Sequence, residues 1–131
     1  MDFKKEFSDL SSENNLIYEY QEFKNCFGGN WWVCTHSLYN DSGCFTIHCL
    51  PHRGEVDFYF ADKFSTDRNE LCQREINVFE VEKDIWERDA KVWVIRNPFY
   101  FWSSKRIMKT LIEVIKISIE KNGEFFGVII R

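Results

Sequence analysis

A stripe of apolar residues near the C-terminus constrains the fold most. Ile107, Met108, Leu111, Ile112, Ile115 and Ile119 recur at helical spacing, Ser103 or Ser104 stands at the start as a cap, and Asn122-Gly123 supplies the stop. The spacing predicts one helix over 104–121 with a broad apolar face, and such a face has to be covered by a second layer. Upstream the chain offers mostly short β-like runs, so the cover is a sheet. The expected fold class is α+β: a single domain over 1–131, with a twisted, mainly antiparallel sheet of about five or six strands packed against a long C-terminal helix. A length of 131 residues suits one domain and is too short for two ordinary ones.

The β-like runs can be placed from their turns. Residues 31–38 and 43–50 flank Tyr39-Asn40-Asp41-Ser42 and read as a hairpin. Pro51-His52-Arg53-Gly54 turns the chain into 55–61, where Val56, Phe58 and Phe60 alternate with Glu55, Asp57 and Tyr59. Asp67 and Glu70 have capping-box spacing around one helical turn. Residues 76–81 and 91–96 read as two further strands, with a charged loop or short helix around Trp86 between them. The apolar run 125–130 reads as a buried strand; with 91–96 and the helix it would form a right-handed crossover and add a parallel pair.

At the other end, Phe3, Phe7 and Leu10 mark a short amphipathic helix, which Ser11-Ser12 is expected to break. Residues 16–23 fit two patterns. Leu16, Tyr18 and Tyr20 alternate as in a strand, while Leu16, Tyr20 and Phe23 fit a helix; Ser12 with Asn15 before the segment and Gly28-Gly29 after it favour the helix.

Composition excludes several classes of function. The net charge is −4, without the basic footprint of a nucleic-acid binder. No apolar run approaches the roughly 20 residues of a membrane helix, and Met1 to Glu6 lacks the apolar stretch of a secretory signal. Five cysteines at irregular spacing fit reduced thiols better than a disulfide framework, so a cytoplasmic location is expected. Charge is unevenly spread: residues 55–90 carry a net of −6 and residues 91–131 a net of +5. Such polarity steers partners if the two segments lie on different faces.

Three chemical readings can be weighed on residue type and spacing. Cys34, His36, Cys44, His48, Cys49 and His52 are the right donors for zinc but match no finger or ribbon spacing. The hairpin register decides whether they meet. A two-residue turn at Asn40-Asp41 points Cys34 and His36 away from Cys44 and His48; a five-residue loop puts all four on one face. Cys26 before Phe27-Gly28-Gly29-Asn30 could serve as a nucleophile beside backbone N–H donors, with His36 or His48 as base, although no protease signature surrounds it. Glu55/Asp57 and Glu80/Glu82 could hold magnesium, yet alternation with Val56, Phe58, Phe79 and Val81 suits a solvated sheet face better. No catalytic residue, metal or cofactor is therefore assigned.

Aromatics make up 18% of the chain, and the adjacent ones at Trp31-Trp32 and at 99–102 exceed what one sheet face can bury. Trp86 sits among Glu82, Asp84, Glu87 and Asp89, an aromatic anchor ringed by carboxylates that suits a basic partner. With Asp57, Asp62 and Glu80, these residues form the candidate partner-binding set. A small, acidic, aromatic-rich domain with such a patch resembles the bacterial immunity proteins of contact-dependent growth inhibition and related polymorphic toxin systems. The resemblance implies a one-to-one complex with a cognate toxin, a nuclease in the first instance, whose basic active site the acids would cover. It implies no enzyme activity and no direct contact with nucleic acid or membrane. The alternative is a small enzyme or ligand-binding domain with a pocket between sheet and helix, using Cys34, His36 and His48.

Overall fold

In the computed structural model, residues 2–26, 28–29, 31–51, 54–81 and 104–131 are described. The first apolar stripe forms helix α1 (Phe3–Glu13), capped by Asp2, whose carboxylate accepts from the Lys5 N–H at 3.3 Å. Ser11 does not break it. Its hydroxyl donates to the Ser8 carbonyl at 2.7 Å, which satisfies the group inside the helix and lets Ser11 be buried with Phe7 and Leu10. The helix ends instead at Asn14 and Asn15, the latter in the left-handed region at φ 55°.

Residues 16–23 are not helical. They open strand β1 (Ile17–Cys26), which pairs antiparallel with β2 (Trp31–Asn40) without interruption from Ile17↔Tyr39 to Phe23↔Val33. Both patterns exist in this segment, and the long-range ladder decides between them: it places Tyr18 and Tyr20, two apart, on one side of the sheet. A bulge at Lys24-Asn25, with Asn25 at φ 57°, lets Cys26 pair with Trp31. The sheet continues through β3 (Gly43–Leu50), β4 (Glu55–Ala61) and the two-residue β5 (Arg74–Glu75), in the order β1-β2-β3-β4-β5, every pair antiparallel. The hairpin turn is Asp41-Ser42, closed by Asn40↔Gly43; the Asn40 side-chain oxygen accepts from the Ser42 N–H at 2.8 Å and so holds the turn.

Alternation gives the sheet two unlike faces. Leu38, Phe45, Ile47 and Phe58 look toward α1 and the C-terminal helix α4 (Ser104–Asn122), and with Phe7, Leu10, Met108, Leu111 and Ile115 they make the main core. Burying each of the larger residues contributes about 1.5–3 kcal/mol. The α4 stripe is the expected one, with Val114 also buried, and the helix stops at Gly123, φ 68°. The opposite face carries Thr35, Ser37, Cys44, Thr46 and His48, all buried. Part of its cover is the chain after β4, where Phe64 stacks on Tyr39 at 4.6 Å and the Gln21 amide donates to the Ser65 carbonyl at 3.2 Å.

Three local expectations need correction. Asp67 caps α2 (Arg68–Leu71), accepting from the Asn69 N–H at 2.9 Å, but Glu70 does not reach back to it; Ser65 stands between, its hydroxyl accepting from the Asp67 N–H at 3.0 Å and donating to Glu70. Residues 76–81 are not a strand. Ile76 extends the β4–β5 pairing by one bond to the Phe58 carbonyl at 2.8 Å; the Asn77 carbonyl then accepts from Glu80 and Val81, turning the chain into the helical turn α3 (Val78–Val81). Residues 125–130 do not join the main sheet. They form most of a small hairpin, β6 (Glu124–Phe125) and β7 (Val128–Ile129), turned by Phe126 and Gly127, both at positive φ. The described sheet is therefore wholly antiparallel, and the expected strand 91–96 lies outside the described residues. β7 is moored to the β2–β3 turn: the Asn40 amide donates to the Ile129 carbonyl at 2.6 Å, and the Ile129 N–H donates to the Ser42 hydroxyl at 2.9 Å.

Candidate acidic interface and the polar rungs of the sheet

The chain from β4 to α3 concentrates the carboxylates. Glu55, Asp62, Asp67, Glu70, Glu75 and Glu80 are exposed and Asp57 half-buried, against the three bases Lys63, Arg68 and Arg74 over residues 55–81. Between residues 56–58 and 75–78 lies an open groove of about 380 Å³, with Val56, Phe58, Ile76 and Val78 as its apolar floor and Asp57, Glu75 and Asn77 as its polar lining. It exists because β5 is only two residues long: past Ile76 the chain leaves β4, and the strand edge opens. Burial raises the Asp57 carboxyl above the ordinary carboxylate range, and the nearby charges of Glu75 and Glu55 raise it further. A group in that position is stabilised by an incoming cation.

Of the candidate partner-binding set, Asp57 lies on β4 facing away from the main core, Asp62 is exposed directly after β4, and Glu80 is exposed on α3. Glu80 thus sits on a helical turn, not on the sheet face expected for it. Glu82, Asp84, Trp86, Glu87 and Asp89 lie outside the described residues. Glu75, opposite Tyr59 on the two-residue β5, is a further contributor outside the candidate set, brought to the groove by the β4–β5 pairing. Trp31 is 37% exposed, in keeping with the excess of adjacent aromatics.

The hairpin register disposes of the four-residue zinc arrangement. With Cys34↔Cys49, His36↔Ile47, Thr35↔His48 and Tyr39↔Cys44 as rungs, Cys34 and His36 face the main core while Cys44 and His48 face the other side. Among the described residues no group of three or more His, Cys, Asp or Glu is placed to hold a metal. The same split separates the three groups of the pocket alternative. His36 is wedged among Phe7, Tyr18 and Tyr20, with ring centroids 5.1–5.9 Å away. Burial drives its pKa down to about 4, with a smaller push from Lys4, so the ring is neutral, and Nδ1 shares a hydrogen bond with the Tyr18 hydroxyl at 2.7 Å. His48 is likewise lowered to about 4, by burial and then by Arg68; it packs edge-on to Tyr59 and has no hydrogen-bond partner among the described residues. Cys26 is buried with its thiol turned to the Phe23 carbonyl at 3.6 Å, and the Gly29 N–H is engaged by the Cys26 carbonyl, so this donor is not presented to a ligand.

One thiol pair is brought together. Cys34 and Cys49 are direct rung partners, so their thiols stand side by side on one face of the sheet. Tyr20 flanks them from β1, its hydroxyl 2.9 Å from a Glu22 carboxylate oxygen, and the Lys4 ammonium lies 3.9 Å above the Tyr20 ring. The adjacent Cys49 thiol lowers the Cys34 thiol to about 7; burial and the Glu22 charge oppose it, while Tyr20 and Lys4 assist. Cys49 moves the other way, chiefly because of the adjacent Cys34.

Among the described residues no helix is long and apolar enough to cross a membrane. Comparison with family models, with curated proteins and with solved structures finds no match to this chain.

Proposed function

We propose that this chain is an immunity-type inhibitor, a binding protein that neutralises a cognate toxin one-to-one in the cytoplasm. The observation that carries the reading is the groove beside β4, an apolar lining with Asp57 and Glu75 as its carboxylates; Glu80 is exposed two residues past Val78, and Asp62 is exposed just beyond the end of β4. Apolar floors supply desolvated anchoring, and carboxylate rims supply attraction and orientation toward a surface of Lys and Arg such as a nuclease uses to hold RNA or DNA. Glu82, Asp84, Trp86, Glu87 and Asp89 lie outside the described residues and enter the proposal on their sequence alone. Five free thiols suit a reducing compartment.

The test is co-expression with a secreted toxin encoded beside this chain. Protected cells and a complex that survives gel filtration support the reading. Continued killing with no complex defeats it. The Asp57→Lys, Asp62→Lys, Glu80→Lys triple variant localises the surface: unchanged affinity and unchanged salt dependence would move the contact elsewhere.

A further inference from the structure

The paired thiols of β2 and β3 have no part in the acidic surface, and their placement is specific. Opposed residues in an antiparallel ladder have Cα atoms about 4.5–5.5 Å apart, inside the roughly 4.4–6.8 Å that a disulfide spans. Of the five cysteines, Cys26, Cys44 and Cys72 have no cysteine as rung partner, since Cys26 pairs with Trp31, Cys44 with Tyr39 and Ala61, and Cys72 lies outside the ladders. We propose that Cys34 and Cys49 form a redox-active dithiol, which a hydroperoxide oxidises to a cross-strand disulfide.

The oxidant class follows from access and chemistry. Cys34 exposes only 9% of its surface, which favours a small oxidant over a bulky disulfide. In the first step the Cys34 thiolate attacks one peroxide oxygen, the O–O bond breaks, and hydroxide leaves, giving a sulfenic acid. In the second the Cys49 sulfur attacks the Cys34 sulfur, the S–O bond breaks, and water leaves with the Cys49 proton. Two thiols and one peroxide thus give one disulfide and two waters; a dithiol reductant reverses the change.

The groups facing the pair set the first step. On the β3 side the adjacent Cys49 thiol favours the Cys34 thiolate, the Tyr20 hydroxyl and Lys4 from α1 assist, Glu22 disfavours it, and Asp57 bears on Cys49. The Tyr20 hydroxyl donates to the Glu22 carboxylate at 2.9 Å. At pH 7 a thiol near 7 is about half ionised, against about 3% for an ordinary one; the weaker intrinsic nucleophilicity of the more acidic thiol returns part of that gain, leaving an advantage of about threefold.

The experiment treats the native chain with hydrogen peroxide, quenches with an alkylating agent, and maps linkages by mass spectrometry. The expected product is a 34–49 crosslinked peptide, dominant over all other pairings and lost with dithiothreitol. Absence of that crosslink, or its formation no faster than pairings of Cys26, Cys44 or Cys72, overturns the proposal. Cys49→Ser should stop at a Cys34 sulfenic acid that dimedone captures. Because a core substitution can unfold the chain, Glu22→Gln supplies a second arm at an exposed site. It should shift the pH midpoint of Cys34 alkylation downward, and an unchanged or raised midpoint counts against the assigned environment of Cys34.

Discussion

His36 and His48 both sit nearly out of reach of solvent, on opposite faces of one sheet, and both are held neutral by burial. Their folded-state values near 4 lie below the ordinary 6.5, so the unfolded chain binds more protons through that interval. The stability they lend is complete above pH 6.5 and is lost as pH falls toward 4, by up to about 3 kcal/mol each. Asp57, raised in the fold, works in the opposite direction and recovers part of the loss. Urea unfolding at pH 7 and pH 5 should show a clearly lower midpoint at pH 5, and His48→Gln should flatten the dependence. An equal midpoint at both values would contradict neutral burial of the two rings. None of this was legible from residue type. A histidine in an alternating strand reads as half-buried, and whether it becomes ligand, base or neutral core residue depends on which face the register gives it.

At the scale of elements, the C-terminal hairpin is the most sharply constrained piece. Gly127 adopts φ 93°, and a Cβ there would lie 2.9 Å from the Phe60 ring; a Cβ on Gly43 would lie 2.7 Å from the same ring. Gly127→Ala therefore meets backbone strain and a clash together, with an expected cost of about 1–3 kcal/mol read as a lowered thermal midpoint. Gly43→Ala tests the clash without the strain. Leu111→Ala, at a fully buried α4 position, should cost about 2–5 kcal/mol by the same measurement. Helix α4, the β2–β3 hairpin and strand β4 were legible, because each carries one hydrophobic period and a stop signal; α1 was legible from its period alone, since it runs through Ser11-Ser12 to Glu13. The misread segments share a cause. Residues 16–23 hold two periods at once, 76–81 start as a strand and are diverted by Asn77, and in 125–130 the turn at Phe126-Gly127 hides in an apolar run. Local pattern proposes in such places, and partners distant in sequence decide.

For the molecule as a whole, the useful quantity is charge separation rather than net charge. Asp57 stands on the sheet face turned away from the main core, whereas the exposed bases Lys105, Arg106, Lys109, Lys116 and Lys121 ride on α4, the layer that covers the core face to which Val56 and Phe58 of the groove belong. If the groove receives a basic toxin, association should slow at least tenfold between low and moderate salt, and the Asp57/Asp62/Glu80 reversal should abolish most of that dependence while changing dissociation less. Stopped-flow mixing at two salt concentrations reads both. The candidate surface was legible as an acidic stretch, but its groove was not, since the groove comes from the early departure of the chain at Ile76. The mooring of β7 to Asn40 and Ser42, across 87 to 89 residues, bears on how the molecule is made. The strands of the meander join neighbours in sequence and are free to pair as they leave the ribosome, and α1 is already made, but their apolar side gains the rest of its cover and its fastening only from residues synthesised later. Until α4 and the hairpin emerge, Leu38, Phe45, Ile47 and Phe58 form a sticky sheet on a nascent chain, so translation speed through the second half becomes a determinant of yield.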